Sequence, residues 1–296
     1  MATLITDIET RSEVDIKSCG AHRYIWDDSF QILLIGYAFD DEPAHVIDLV
    51  AGDPVDDRFL AALYDPDVLK VAHNYFFERW AFEKHFGRYC PAEEWEDTML
   101  LAATCGLPLA LGQCCEALKL PQDKAKDREG RALIRKFCNL NRQGVFNPPE
   151  SDVNAWEKFK SYCAQDVVAE RELYHLLKPW TPSGKERSIR CLDARINERG
   201  VRVDRTLAAH ASEMDERFKA ELTEKAIALT GLDNPGSVTQ VKRWLREQEG
   251  LDVMSLNKKA VADVVAQLRT EEAKEFMHLR SMLAKTSASK YDAMLR

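Results

Sequence analysis

The chain opens with a short apolar run, Leu4-Ile5, that passes directly into Thr6-Asp7-Ile8-Glu9-Thr10. This is the pattern of a buried strand that delivers two carboxylates at its end. The polar segment from 11 to 30 has loop-like composition. Gln31 to Phe39 is rich in β-branched and aromatic residues and predicts a second strand. Asp40-Asp41-Glu42-Pro43 predicts a turn, Ala44 to Leu49 a third strand and Val68 to His73 a fourth, with a short helix from Arg58 to Tyr64 between the last two. A helix follows from Asn74 to Phe86 and stops at Gly87. Helical spacing then dominates, over Thr98–Cys105, Leu111–Leu118, Asp127–Cys138 and a long stretch from about Ser151 to Leu177. Strands first and helices after predict an α/β domain: a strand meander in a small mixed sheet, covered by helices.

Pro179-Trp180-Thr181-Pro182-Ser183-Gly184 interrupts helical sequence on both sides and marks a linker. Beyond it the pattern is almost wholly helical: Glu186–Arg199, Arg205–Leu229, Ser237–Gln248, Asn257–Leu268 and Glu271 to the end. Two domains are therefore expected, 1–180 and 181–296, in keeping with a length of 296 residues.

Composition narrows the class. A chain with 45% hydrophobic and 30% charged residues is that of a globular protein. It has no apolar run of the ~20 residues that a membrane span requires. Its N-terminus lacks the basic and apolar regions of a secretory signal, so a cytoplasmic protein is expected. The eight cysteines show no C-x-x-C and no metal-ligand spacing, which points to reduced packing thiols. Net charge is −8, but unevenly placed: residues 181–296 carry 21 Lys+Arg against 18 Asp+Glu, and residues 1–180 carry 20 against 31. An acidic first part suits a carboxylate metal site and a mildly basic second part suits a polyanion. Lys124, Lys126, Arg128 and Arg131 are interrupted by acids and are expected at the surface.

Three acidic segments carry candidate chemistry. On a strand, Asp7 and Glu9 face the same way and repel each other unless a positive charge sits between them; a hard divalent cation such as Mg2+ or Mn2+ meets that need. Asn74, Phe77 and Glu78 fall on or near the first turn of a helix, with Phe77 and Glu78 about 100° apart. Tyr162 and Asp166 are four residues apart on the long helix and share a face. Each segment alone also has an ordinary reading: solvated acids at a strand end, a glutamate favoured by a helix N-terminus, a chance pair.

Taken together, D-I-E on a first strand, N-x-x-F-E at a strand-to-helix junction and Y-x-x-x-D on a late helix resemble the three motifs of the 3′–5′ proofreading exonucleases. The resemblance is to the tyrosine-type branch of the DEDD superfamily, with its ribonuclease-H-like fold. Asp97-Thr98-Met99-Leu100 resembles the stretch that follows the second motif in the exonuclease domain of family A DNA polymerases. The second half continues the likeness: residues 191–204 resemble the segment joining exonuclease to thumb, and Asn234-Pro235-Gly236-Ser237 and residues 279–291 resemble thumb sequence. The usual aspartate of the second motif is here Glu78, as the phage-type branch tolerates. No palm or fingers motif is present, so the chain looks like the front part of a phage or prophage polymerase.

The resemblance implies a proofreading 3′–5′ exodeoxyribonuclease in DNA replication that releases nucleoside 5′-monophosphates with two Mg2+ or Mn2+ ions. Asp7 would bridge both ions, Glu9 and Asp166 would complete the first, Glu78 would hold the second, and Tyr162 would orient the attacking water. Asn74 and Phe77 would shape the nucleotide pocket, Phe77 more by core packing. Arg280, Lys285 and Lys290 would meet phosphates of a primer-template duplex, and a polymerase palm and fingers segment would be the protein partner. The alternatives left open are a weak or inactive DNA-binding scaffold for a separate polymerase subunit, and an RNA 3′-end trimming enzyme of the ribonuclease D type.

Overall fold

The computed structural model describes residues 2–120, 124–182 and 184–295, with the side chains of 124–128 and 258 outside the description. The expected surface position of Lys124, Lys126 and Arg128 therefore lies outside the described residues.

The first strand, β1, runs Thr3–Arg11 and pairs antiparallel with β2, Gln31–Phe39, which pairs antiparallel with β3, His45–Asp48. On its other side β1 runs parallel to β4, Leu69–Ala72, which runs parallel to β5, Trp95–Asp97. The order is β3-β2-β1-β4-β5. With helices on both faces, this mixed sheet is the ribonuclease-H-like architecture expected.

Side chains alternate across β1, and each face has its own core. Leu4 and Ile8 pack with Tyr24 and Ile25 of α1 (Ile16–Trp26), Phe59 and Leu63 of α2 (Asp57–Leu63), and Ala81 and Phe82 of α3 (Phe76–Phe86). On the opposite face Ile5 packs with Leu101 of α4 (Thr98–Thr104), Cys114 of α5 (Leu111–Ala117) and Val167 of α7 (Val153–Leu177). Phe137 of α6 (Lys124–Phe137) stacks on Phe159 of α7. Asp152 caps α7 by accepting from the Ala155 amide at 3.0 Å, and Trp156 Nε1 donates to buried Asp48 at 2.6 Å, which pins α7 to β3.

Three elements depart from expectation, one of them the helix expected from Glu271 to the end, which stops at Leu283 and gives way to a separate short helix over Ser289–Leu295. The segment expected as a loop holds α1, capped by Asp15 and broken at Gly20, whose φ of 78° is left-handed. It buries only Tyr24 and Ile25, too few apolar positions to show a helical stripe. The three-residue β5, with the sequence Trp-Glu-Asp, is too short and too acidic to register as a strand.

The chain divides into two compact units, Met1–Gly200 and Val201–Arg296. The first extends twenty residues beyond the boundary expected at 180, because α8 (Lys185–Arg199) packs back onto it. Ala194 is fully buried in the α1–α3 core, Arg190 pairs with buried Glu96 at 2.7 Å, and Glu198 pairs with buried Arg79.

The second unit consists of α9 (Arg205–Thr230), α10 (Val238–Glu249), α11 (Lys258–Gln267), α12 (Glu271–Leu283) and α13 (Ser289–Leu295). Its core gathers Leu222, Ala226, Val241, Leu245, Phe276 and Met277. Glu249 closes it from the end of α10, accepting from the Arg269 and Thr270 amides at 2.6 and 3.1 Å.

Candidate metal centre

Because Ile5 faces α7, so do Asp7 and Glu9, two and four residues further along β1. Asp166 meets them from α7. Ligand oxygens of Asp7, Glu9 and Asp166 all lie within 4.8 Å of one another. Glu9 is 7% exposed, and Asp7 and Asp166 are partly exposed. Burial first, and then the Asp166 charge, pushes the Asp7 carboxyl well above its ordinary value; burial and the Asp7 and Asp166 charges do the same to Glu9. The cluster is short of positive charge.

A glycine makes this convergence possible. Gly36 on β2 is the register partner of Asp7 and lies on the same face. A Cβ built there would come within 2.8 Å of Val167 Cγ2, 2.9 Å of Cys163 Sγ and 3.2 Å of the Cys163 carbonyl oxygen. The α7 backbone can therefore sit close over the sheet only with glycine at 36. Gly36→Ala is expected to cost about 1–3 kcal/mol by overpacking, read as a lower urea midpoint. It should also weaken divalent-cation binding by lifting Asp166 from Asp7. Unchanged stability and cation binding would show that α7 is not seated by this contact.

Tyr162 lies one turn before Asp166 on α7, close enough for that carboxylate to act on its hydroxyl. Burial first, and then Asp166 and Glu9, drives the phenol far above its usual range, so the hydroxyl keeps its proton. Its ring rests against Gly130 of α6, where any Cβ would collide with the ring.

Glu78 enters from the first turn of α3 and is 4% exposed. It is not among the three mutually close carboxylates, but it feels Asp7: burial and that charge hold its carboxyl well above normal. Its Oε2 has no hydrogen-bond partner among the described residues. The turn before α3 is held by Asp97, whose Oδ1 accepts from the amides of Asn74 (3.0 Å), Met99 (2.8 Å) and Leu100 (3.4 Å). Asn74 has φ 75°, a left-handed conformation that asparagine tolerates better than most residues. The D-T-M-L stretch thus aims Glu78 through the backbone. Phe77 is half-buried and packs on Tyr24 with ring centroids 6.0 Å apart.

Arg280, Lys285 and Lys290 belong to the second unit: Arg280 is partly buried in the last turn of α12, Lys285 is exposed after it, and Lys290 is exposed on α13.

Of two further buried acids, Asp97 is read from sequence only as part of the D-T-M-L resemblance, and Glu170 escapes a sequence reading. Asp97 is 1% exposed, and burial raises its carboxyl to about 6; Glu170, one turn after Asp166, is also 1% exposed. The signal for Glu170 is a charge in register with the buried stripe of α7, between Val167 and Tyr174.

Three mutually repelling oxygen donors and an orphaned fourth carboxylate fit a hard divalent cation. Among the described residues no helix is long and apolar enough to cross a membrane.

No protein-family model matches the chain. Over 300 aligned residues, 99% of this chain, it is 42% identical to a protein described as the DNA polymerase of Bacillus phage SP02, and it spans 46% of that relative's length. Among solved structures, the Escherichia coli ribonuclease D structure, described as an exoribonuclease involved in structured RNA processing, is 17% identical. It aligns over 98% of this chain and 69% of its own, with a TM-score of 0.41. A structure described as the apo form of a nuclease is 19% identical over 66% of this chain and 76% of its own, with a TM-score of 0.34.

Proposed function

We propose, from the premise that this chain is related along 99% of its length to a phage DNA polymerase, that it is a metal-dependent 3′–5′ exonuclease region of such a polymerase. Its first unit is read as the exonuclease and its second as a thumb-like segment. The observation that carries this is the convergence of Asp7, Glu9 and Asp166 within 4.8 Å, with Tyr162 one turn before Asp166 on the same helix.

The reaction is hydrolysis of the last phosphodiester of a DNA strand. A water oxygen bonds to phosphorus, the bond from phosphorus to the 3′ oxygen breaks, and a proton ends on that oxygen. Asp7, Glu9 and Asp166 would hold one divalent cation and Asp7 and Glu78 a second, Mg2+ or Mn2+ by the hardness of the donors. When bound, such ions supply charge stabilisation at the phosphate and an acidified water. The protein's own part is orientation. Protonated Tyr162 donates to Asp166, which leaves its oxygen lone pairs to accept a hydrogen from water and align it in line with the scissile bond. Its raised pKa rules it out as the proton acceptor near neutral pH. Asn74, in the β4–α3 turn, is proposed to meet the terminal nucleotide, and Phe77, which packs on Tyr24, to support that pocket from the core.

In the second unit, Arg280, Lys285 and Lys290 are proposed to meet the phosphates of adjoining duplex, with affinity falling steeply as salt rises. The test of substrate class is a pair of 3′-labelled oligonucleotides of matched sequence, one DNA and one RNA, incubated with Mg2+. Deoxynucleoside 5′-monophosphate released from DNA faster than label from RNA is expected. Faster release from RNA would favour the RNA-trimming alternative, and no release from either would leave a DNA-binding scaffold.

A further inference from the structure

Gly130 is a buried glycine in the middle of α6, a place where alanine is the better helix former. Its φ is not positive, so the backbone does not call for glycine. One side chain does. A Cβ at 130 would collide with Cε2 and Cδ2 of Tyr162 and stand 2.8 Å from its Cζ, so all three of the nearest atoms belong to the phenol ring. The ring lies directly on the α6 backbone and runs nearly parallel to the Phe159 ring, 6.5 Å away.

α6 is itself seated on α7. Phe137 is fully buried, with its ring 4.9 Å from that of Trp156 and 5.6 Å from that of Phe159. Lys136 pairs with Asp152, and Glu129, the neighbour of Gly130, pairs with Lys158. A methyl group at 130 would therefore meet a packed helix behind it and a partly exposed ring in front of it. The ring is the part free to turn away, and it carries the hydroxyl on which Asp166, Glu9 and Asp7 act. We propose that Gly130 is a positioning residue for the nuclease: by offering no side chain, it lets the Tyr162 ring lie against α6 and so sets where the hydroxyl stands beside the carboxylate centre. This rests on the exonuclease reading of that centre, and it extends the site to a helix that supplies none of its three converging carboxylates.

The test is single-turnover release of the 3′-terminal nucleotide from saturating single-stranded DNA in Mg2+, by the full chain, for the wild type, Gly130→Ala, Tyr162→Phe and the double variant. Gly130→Ala should slow release about 10–100-fold, the usual penalty for an orienting group misplaced by about an ångström. Tyr162→Phe should be at least as slow. Adding Gly130→Ala to Tyr162→Phe should change the rate by less than about twofold, because no hydroxyl remains to be placed. Mn2+ affinity should equal that of the wild type, and the melting temperature should equal or exceed it, since alanine favours the helix. A Gly130→Ala rate equal to that of the wild type would overturn the proposal and leave the exonuclease reading intact. So would a further loss of about tenfold in the double variant, which would show the alanine acting by a route other than Tyr162. A Gly130→Ala chain that melts well below the wild type or loses Mn2+ would mean that the helix yields instead of the ring, and would overturn it too. A folded wild type that releases nothing would overturn both the proposal and the reading beneath it.

Discussion

Asp7→Ala is expected to lower release of the 3′-terminal nucleotide by about 10³-fold or more, while the protein folds at least as stably in metal-free buffer. The first effect follows from position. Asp7 is one of the three carboxylates that converge, and its charge is also felt by Glu78 and Glu170. Removing it strips a donor from both proposed cation positions, and a 10³-fold loss corresponds to about 4 kcal/mol of transition-state stabilisation. The second effect has the opposite sign because, without a cation, Asp7 is destabilising: burial and Asp166 both oppose its ionised form. Alanine relieves that repulsion. Single-turnover rates and thermal melts in EDTA measure the two effects on one preparation. A variant that is inactive only because it melts early would refute this account of Asp7.

Arg79→Ala is expected to cost about 3–5 kcal/mol of stability, the usual penalty for breaking a buried ion pair from one side. Arg79 is 1% exposed, pairs with Glu198, donates from Nε to the Cys90 carbonyl at 2.8 Å and lies 5.4 Å from the centre of the Tyr75 ring. Alanine leaves the partly buried Glu198 carboxylate without its cation and a cavity at the end of α3. Because Glu198 lies on α8, the loss should also loosen α8, exposing residues 185–199 to protease at conditions under which the wild type resists. Arg79→Lys should rescue little, since a lysine cannot keep both the carbonyl and the carboxylate contacts of a planar guanidinium. Urea unfolding and limited proteolysis measure this. A loss under about 1 kcal/mol would mean that Ala194 packing and the Arg190–Glu96 pair hold α8 without Arg79.

This contact also explains why the first unit's end is hard to read from sequence. The prolines and glycine at 179–184 signal a break between helices, and a break between helices is what they produce: a 3-10 turn over Lys178–Trp180 and a new helix at Lys185. Whether the next helix belongs to the preceding core depends on Arg79, Glu96 and Cys90, about a hundred residues earlier. No local pattern encodes that. In contrast, β2 is legible to the residue, because nine consecutive β-prone positions are bounded by polar segments.

Much of the candidate centre is legible for a related reason. Strand alternation puts Asp7 and Glu9 on one face, and helical spacing puts Tyr162 and Asp166 on another; the fold brings those two faces together over Gly36. What alternation and spacing cannot show is depth. Glu78 reads as a helix-start glutamate and Glu170 as one more acid in a charged helix, yet both are buried with unpartnered oxygens. Asp97 is visible only as part of a resemblance, while its work, holding the Asn74 turn, is done through backbone amides.

The central claim is tested most directly by following 5′-labelled single-stranded DNA with the wild-type chain in Mg2+. A ladder that shortens one nucleotide at a time from the 3′ end, and vanishes when EDTA removes the metal, is the predicted result. Label that stays at full length in Mg2+ and in Mn2+, from a chain that is folded and binds the DNA, would contradict it.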